Sequence, residues 1–344
     1  MASLASQSYV CDPRPKYPLV ITAKRYWNPA SPFLNDPDAF TLIFAHGTGF
    51  HKEHYEPTIE DLYKMLPEGS GPPKIREAWS IDCPNHGDAA VLNENTLRWG
   101  YEPIFGWQEY ARSLHIFLAG LGTGVDVDFS THRLVLLGQS MGAVSLVFAL
   151  TYQPELKPDR LVLIEPMAIA ESAGPAMKKF LAGGSANRRD IWPSREEAYN
   201  VLKSRPAWKI WDDRILRLYV EHGLRPLPSL EYPDKEGVTL KCTRRQETAT
   251  YSDPLGSSLA YRMTGEIAKR IPIHVVYGAI DDYIPREVKD DFVKNGLGGE
   301  KNLASLSRVP KGGHLVIQTN PTGLAEAIFA VLIKQGDRQI RGKL

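Results

Sequence analysis

Cysteine is scarce in this chain. Only three occur in 344 residues, Cys11, Cys83 and Cys242, far apart and without C-x-x-C spacing, which argues against a disulfide framework and against a thiolate zinc site. Charge of one sign is also missing: 41 basic side chains stand against 40 acidic ones, which removes the electrostatic case for a nucleic-acid binder or a membrane-surface protein. Long hydrophobic runs are absent as well. The stretch AIFAVLI at 327–333 falls far short of the roughly 18 to 20 apolar residues that span a bilayer, so no integral membrane segment is expected. At the start of the chain Pro13, Arg14, Pro15 and Lys16 precede any sustained apolar stretch, so the body of a secretory signal is lacking and an intracellular site is expected.

What is present is core material. Apolar residues make up 43% of the chain, enough for a sizeable interior. Short aliphatic or β-branched runs at 41–45, 78–81, 133–137, 160–164 and 273–277 read as buried parallel strands, apolar on both faces and ended by Gly, Pro or Asp. Between them lie amphipathic stretches at 55–66, 106–121 and 140–150, and strand alternating with helix predicts a doubly wound α/β sheet. Residues 18–29 add antiparallel edge strands. After the run at 160–164 the alternation stops for about a hundred residues, too long for a bare loop. Helix-like segments at 174–183, 194–204 and 208–223 predict a helical insertion over one end of the sheet, and the alternation then resumes to a closing helix at 321–335. The division expected is a core of 1–165 and 271–344 with a helical cap of 166–270.

The sharpest local signal is GQSMG at 138–142, a G-x-S-x-G between a strand and a helix-forming run. A serine on a sharp strand-to-helix turn is lifted above the sheet, small flanking residues let the backbone close, and the helix N-terminus points at the site. Ser140 is the candidate nucleophile. A hydroxyl needs a base, and a histidine oriented by a carboxylate should follow in the order Ser, acid, His. His314, on the Gly-Gly loop between the last short strand and the last helix, suits the base. Asp281, beyond Gly278 at a strand's C-terminal end, is the first choice of acid, with Asp282 and Glu165 as alternatives. Oxyanion donors are expected from the Met141 amide and from Thr48 or Gly49 in AHGTGFHKEHY at 45–55. His46 reads as a turn-stabilising residue, and His51, Glu53 and His54 lack a further ligand at metal-binding spacing, so no metal is expected.

With AHGTGF, GQSMG, YGAIDDYIP and KGGH in that order, the chain resembles the serine members of the α/β-hydrolase superfamily that carry a helical cap. The resemblance covers about residues 18–335 and implies a mostly parallel eight-stranded sheet with helices on both faces. AHGTGFHKEHYEP and DCPNHGDAAVLNE further resemble a fungal group that includes a yeast peroxisomal lipase and the toxin-biosynthesis hydrolases of secondary metabolism. The family implies acyl-Ser chemistry with no cofactor: Ser140 attacks, His314 moves the proton, the carboxylate orients His314, and water completes hydrolysis. The expected substrate is a carboxylic ester, lactone or thioester of an apolar acyl or polyketide-like small molecule. Two other readings stand beside it, an acyltransferase or cyclase using the same acyl-enzyme, and a noncatalytic ligand-binding protein. Trp192, Trp208, Trp211 and Tyr219 of the insertion are candidate substrate contacts. Cytosol and peroxisome are both open, because the C-terminal Gly342-Lys343-Leu344 is an imperfect peroxisomal signal. The sequence does not fix the oligomeric state, and a homodimer is one option.

Overall fold

A computed structural model describes residues 4–67 and 71–334. The C-terminal signal read at 342–344 lies outside the described residues. Eight strands form the main sheet: β1 Ala5–Cys11, β2 Ile21–Trp27, β3 Phe40–Ala45, β4 Ile75–Ile81, β5 Arg133–Gln139, β6 Arg160–Ile164, β10 Ile273–Gly278 and β11 Ser305–Val309. Three short strands, β7 Ile191–Trp192, β8 Leu224–Pro226 and β9 Val238–Leu240, form a separate antiparallel sheet. The main order is β1-β2-β4-β3-β5-β6-β10-β11, antiparallel from β1 to β4 and parallel beyond.

Helices before the insertion are α1 Glu56–Lys64, α2 Gly87–Leu92, α3 Glu94–Gly100, α4 Trp107–Leu118 and α5 Met141–Ala149. Between β6 and β10 come α6 Gly174–Ala186, α7 Arg195–Lys203, α8 Pro206–Lys209, α9 Asp213–Gly223, α10 Arg244–Tyr251 and α11 Gly256–Ala268. The chain finishes through α12 Arg286–Asp291, α13 Val316–Thr319 and α14 Pro321–Ile333.

Period-two alternation divides each central strand between two cores. In β5, Leu134 and Leu136 join Trp107, Leu114 and Ala260 from α4 and α11 on one face; Val135 and Leu137 join Ile59, Leu62, Leu324 and Ile328 from α1 and α14 on the other. A strand covered on both sides has no polar face, which is why these runs read as continuous apolar blocks. α5 is the extreme case: all nine of its residues are buried, so it has no stripe for a helical period to reveal.

The stretch 18–29 supplies one antiparallel strand, β2, which lies second from the edge; the edge strand itself is β1 from farther upstream, where a largely exposed sequence pairs from Ala5↔Trp27 to Cys11↔Ile21. The interval expected to form a helical cap also contains the β7-β9-β8 sheet, whose strands of two or three residues are too short to show a period. α11 packs on α5 in the main layers, while α7 and α9 share a separate core with Trp192, Leu216 and Tyr219. That inserted body is tied down from outside: Arg214 of α9 meets Asp61 of α1 at 3.0 Å, Thr322 of α14 donates to the same carboxylate at 2.6 Å, and the Asp212 amide donates to the Gln318 carbonyl at 2.8 Å. Among the described residues no helix is long and apolar enough to cross a membrane.

The parallel registers bring Ala45 level with Gly138, and Gln139 and Val276 level with Ile164, so the strand ends open side by side into one set of loops. Gly142 makes that closeness possible, because a Cβ there would overlap the carbonyl oxygens of Ala45 and His46. Gly142→Ala is therefore expected to cost about 2 kcal/mol or more in urea unfolding, at the scale of overpacking in a rigid core. A loss below about 0.5 kcal/mol, the level of an ordinary surface change, would show that the β3 loop gives way freely.

Candidate active site

Ser140 stands between β5 and α5 with φ 56° and ψ −118°, a backbone conformation that L side chains rarely adopt and that costs energy unless the surroundings enforce it. Enforcement is visible on both flanks. A Cβ on Gly138 would lie 2.6 Å from the Gly142 carbonyl, and the Ser140 amide donates to the Ile164 carbonyl at 3.1 Å. The hydroxyl is thereby presented to His314, with Oγ 3.0 Å from Nε2.

His314 is held by three contacts. Its amide donates to Asp282 Oδ1 at 2.8 Å, its carbonyl accepts from Gln139 Nε2 at 2.9 Å, and the Tyr283 ring lies 5.7 Å away between centroids. Gly313 must lack a side chain, since a Cβ would run into the Asp282 carboxylate. Asp282 thus ties down the histidine's backbone and does not meet its ring.

The carboxylate beside the ring is Glu165, whose Oε2 lies 3.3 Å from His314 Nδ1. Glu165 is fully buried at the end of β6, and its Oε1 accepts from the Gly278 amide at 2.6 Å and from Lys289 Nζ at 2.8 Å. Burial alone would push its pKa up; the hydrogen bonds and positive charge of His314 and Lys289 overcome that and leave it below the ordinary 4.5. Asp281, the acid favoured by sequence, does not reach His314. After Gly278 the backbone pairs with the β11 side, Ala279 to Val309 and Ile280 to Gly312, and the Asp281 side chain turns to Arg286 at 2.7 Å and Lys289 at 3.2 Å. Counting residues past a strand located the correct end of the sheet but not the direction of the side chain.

Met141 opens α5, so its amide has no partner within the helix. Thr48 sits over the same residue, its hydroxyl 3.4 Å from Met141 Sδ. Gly49 is excluded as a donor because its N–H is already given to His86 Nε2 at 2.9 Å. His46 stitches the loop to β4, accepting from the Cys83 amide at 3.0 Å and bonding the Gly47 carbonyl at 2.8 Å. Burial lowers the pKa of His46, His51, His54 and His86 alike. Among the described residues no group of three or more His, Cys, Asp or Glu is arranged to hold a metal ion.

Ser140 and His314 open onto a cavity of about 300 Å³ between the sheet and the insertion. Of the aromatic candidates, Trp208 and Trp211 line it. Trp192 and Tyr219 do not: Trp192 is 1% exposed inside the insertion's own core, and the Tyr219 hydroxyl accepts from Arg188 Nη2 at 2.5 Å, behind the wall. Sequence reading missed Phe50, Lys178, Arg188, Glu247, Tyr251 and Tyr283, all of which line the cavity. In α10 the run RRQETATY is mostly polar, with no apolar stripe to mark Glu247 as buried.

The profile of the alpha/beta hydrolase family matches residues 42–327. The chain belongs to that family. Within it, the chain is 28% identical over 235 residues to the type I acyl-CoA thioesterase mpaH of Penicillium brevicompactum, covering 67% of this chain and 50% of that protein. A second Penicillium brevicompactum protein of the same description, mpaH', is 30% identical over 206 residues, covering 58% and 43%. The chain spans about half the length of the curated relatives it matches. Among solved structures, the peroxisomal alpha-beta-hydrolase Lpx1 of Saccharomyces cerevisiae superposes with a TM-score of 0.72 at 20% identity, covering 99% of this chain and 90% of that one. The thioesterase domain from the curacin biosynthetic pathway gives 0.63 at 15% identity, covering 94% and 99%. The α/β-hydrolase fold expected from sequence is thus the fold observed.

Lys289 is 1% exposed and bridges buried Glu165 to Asp281. Removing one partner of such a pair strands the other charge, so Lys289→Met is expected to lower stability by about 3 kcal/mol or more in chemical denaturation. Glu165 adds a pH signature. Its folded pKa lies below the ordinary value, so its stabilising contribution is complete above pH about 4.5 and is lost as pH falls through the lower folded value. Glu165→Gln should therefore flatten the acid side of the stability profile between pH about 5 and 3, measured by urea unfolding at each pH; an unchanged slope would show that other carboxylates carry it.

Proposed function

We propose that the chain hydrolyses thioesters or esters of apolar acyl metabolites through an acyl-Ser140 intermediate. The observation carrying this reading is the continuous contact Ser140 Oγ to His314 Nε2 to Nδ1 to Glu165 Oε2, facing a mainly apolar cavity. Thioesters come first because the curated relatives are described as acyl-CoA thioesterases. The inserted segment acts as a cap over the acyl group, and the peroxisomal description of the yeast structural relative favours a peroxisomal setting.

The chemistry follows from the geometry. Ser140 Oγ adds to the acyl carbonyl carbon as its proton passes to His314 Nε2, and Glu165 stabilises the imidazolium that forms. The carbonyl oxygen, now an oxyanion, is received by the amides of Met141 and Thr48. Collapse expels the thiol or alcohol, which takes the proton from His314, and leaves an ester on Ser140. Water then adds to that ester with His314 again taking the proton, and collapse returns that proton to the departing Ser140 Oγ and releases the acid.

Two experiments test the reading. A fluorophosphonate should add once to the wild-type protein by intact mass and not at all to Ser140→Ala, whose turnover should fall on the order of 10⁴-fold to 10⁶-fold. An adduct of equal yield on the variant removes Ser140 from the role. In a paired comparison on one thioester substrate, Glu165→Gln should lose activity by about 10³-fold or more, and Asp281→Asn by far less. The reverse ranking would return the acid to Asp281.

A further inference from the structure

Resting on that reading, we infer that the substrate carries an uncharged hydrogen-bond donor, a hydroxyl or an amide N–H, which Glu247 receives inside the cavity near Ser140. Most of the wall is built for hydrocarbon, from side chains such as Phe50, Met167, Ile169, Leu181, Trp208 and Trp211. Glu247 and Arg188 interrupt it, as does Lys178, whose ammonium is turned to the Pro254 carbonyl at 2.7 Å. Glu247 is 6% exposed, and its Oε2 takes a hydrogen bond from Arg188 Nη1 at 2.8 Å. Arg188 is fixed in turn by Tyr219, whose ring stands 4.9 Å from Trp208 and 5.8 Å from Trp211 between centroids. The pair is neutral in sum and held rigidly from behind.

One oxygen is left over. Glu247 Oε1 receives no hydrogen bond from the described residues and stands against the β3 loop, where a Cβ on Gly49 would lie 2.9 Å from it. Two residues earlier on the same loop, a Cβ on Gly47 would lie 3.1 Å from Ser140 Cβ. Two residues of chain span at most about 7 Å, so with approaches of 3.1 Å and 2.9 Å at its ends the free oxygen lies at most about 13 Å from Ser140 Cβ, within reach of a medium-length acyl chain or leaving-group arm bound at the serine.

A carboxylate oxygen accepts hydrogen bonds and donates none. Filling the cavity with plain hydrocarbon would strip water from Oε1 and leave it unpaired, which is penalised. An anionic substituent would meet repulsion from the carboxylate, and a cation is not called for because Arg188 already balances it. A neutral donor satisfies the oxygen without disturbing the pair. It can come from a hydroxyl on the acyl chain or from an amide in the thiol arm.

Matched thioesters separate these sources without any mutation. One arm compares an acyl chain with and without a hydroxyl on the same simple alkyl thiol. The other compares one plain acyl chain on N-acetylcysteamine and on a hydrocarbon thiol of equal length. Wild type should favour the donor-bearing member by about tenfold or more in kcat/KM in at least one arm. Glu247→Gln, which keeps an accepting oxygen, should retain part of that preference. The double variant Glu247→Leu/Arg188→Met, which removes both charges together, should reduce it below about threefold. Equal kcat/KM within both pairs, on wild-type protein whose Ser140 takes the fluorophosphonate, overturns the donor inference and leaves the hydrolase reading standing. Failure to take the fluorophosphonate overturns the hydrolase reading, and this inference with it. A preference that survives intact in the folded double variant removes Glu247 as the receiver.

Discussion

Glu165 is withdrawn from water at the end of β6, where an isolated carboxylate would be costly. It can stay there because a buried ammonium, a backbone amide and an imidazole converge on its two oxygens. Each donor comes from a different part of the chain: Lys289 from α12, Gly278 from the end of β10, and His314 from the loop after β11. That convergence demands that β6, β10 and β11 lie side by side and end level, which their parallel register provides. The arrangement of the sheet's far half and the orientation of His314 are therefore one constraint seen from two sides.

Steric necessity does the same work on the nearer half. Ser140 adopts its positive φ because β5 and α5 close tightly around it, with Gly138 and Gly142 leaving room for backbone on one side and for the β3 loop on the other. The same closeness brings Thr48 over Met141. Buried histidines and Asn85 then fix the loops by local hydrogen bonds, His86 to Gly49 and Asn85, and His46 to Cys83 and Gly47.

Much of this was legible in the sequence because it is local. The G-x-S-x-G turn, the Gly-Gly-His loop and the apolar strand runs each announce themselves within a few residues, and they yielded the fold and the facing pair Ser140 and His314. What depends on direction was not legible. Asp281 and Glu165 both follow strands of the same sheet end, and only the turn of the chain after Gly278 decides which carboxylate meets the imidazole. A polar helix partly buried by docking, such as α10 with Glu247, and a largely exposed edge strand, such as β1, carry no hydrophobic period to read. The aromatic candidates divided for the same reason: abundance of rings in the insertion was visible, but whether a ring faces the cavity, as in Trp208, or the insertion's own core, as in Trp192, is set by packing.

The two stems of the insertion bear different relations to the reacting groups. The first begins at Glu165 itself, and two residues on, the Met167 amide reaches back to the Ser140 carbonyl at 3.4 Å. The second returns through α11, which rests on α5. A change of length or sequence near the first stem tugs directly on the acid and on the serine's turn, whereas change near the second reaches them through Ser257 of α11, which donates to the Met167 carbonyl at 2.6 Å and accepts from the Ile169 amide at 3.1 Å. Both ends of the insertion are thus anchored at the reacting groups, the first directly and the second by one serine, so the cavity is suspended between two fixed hinges and its shape is set by the segments that run between them.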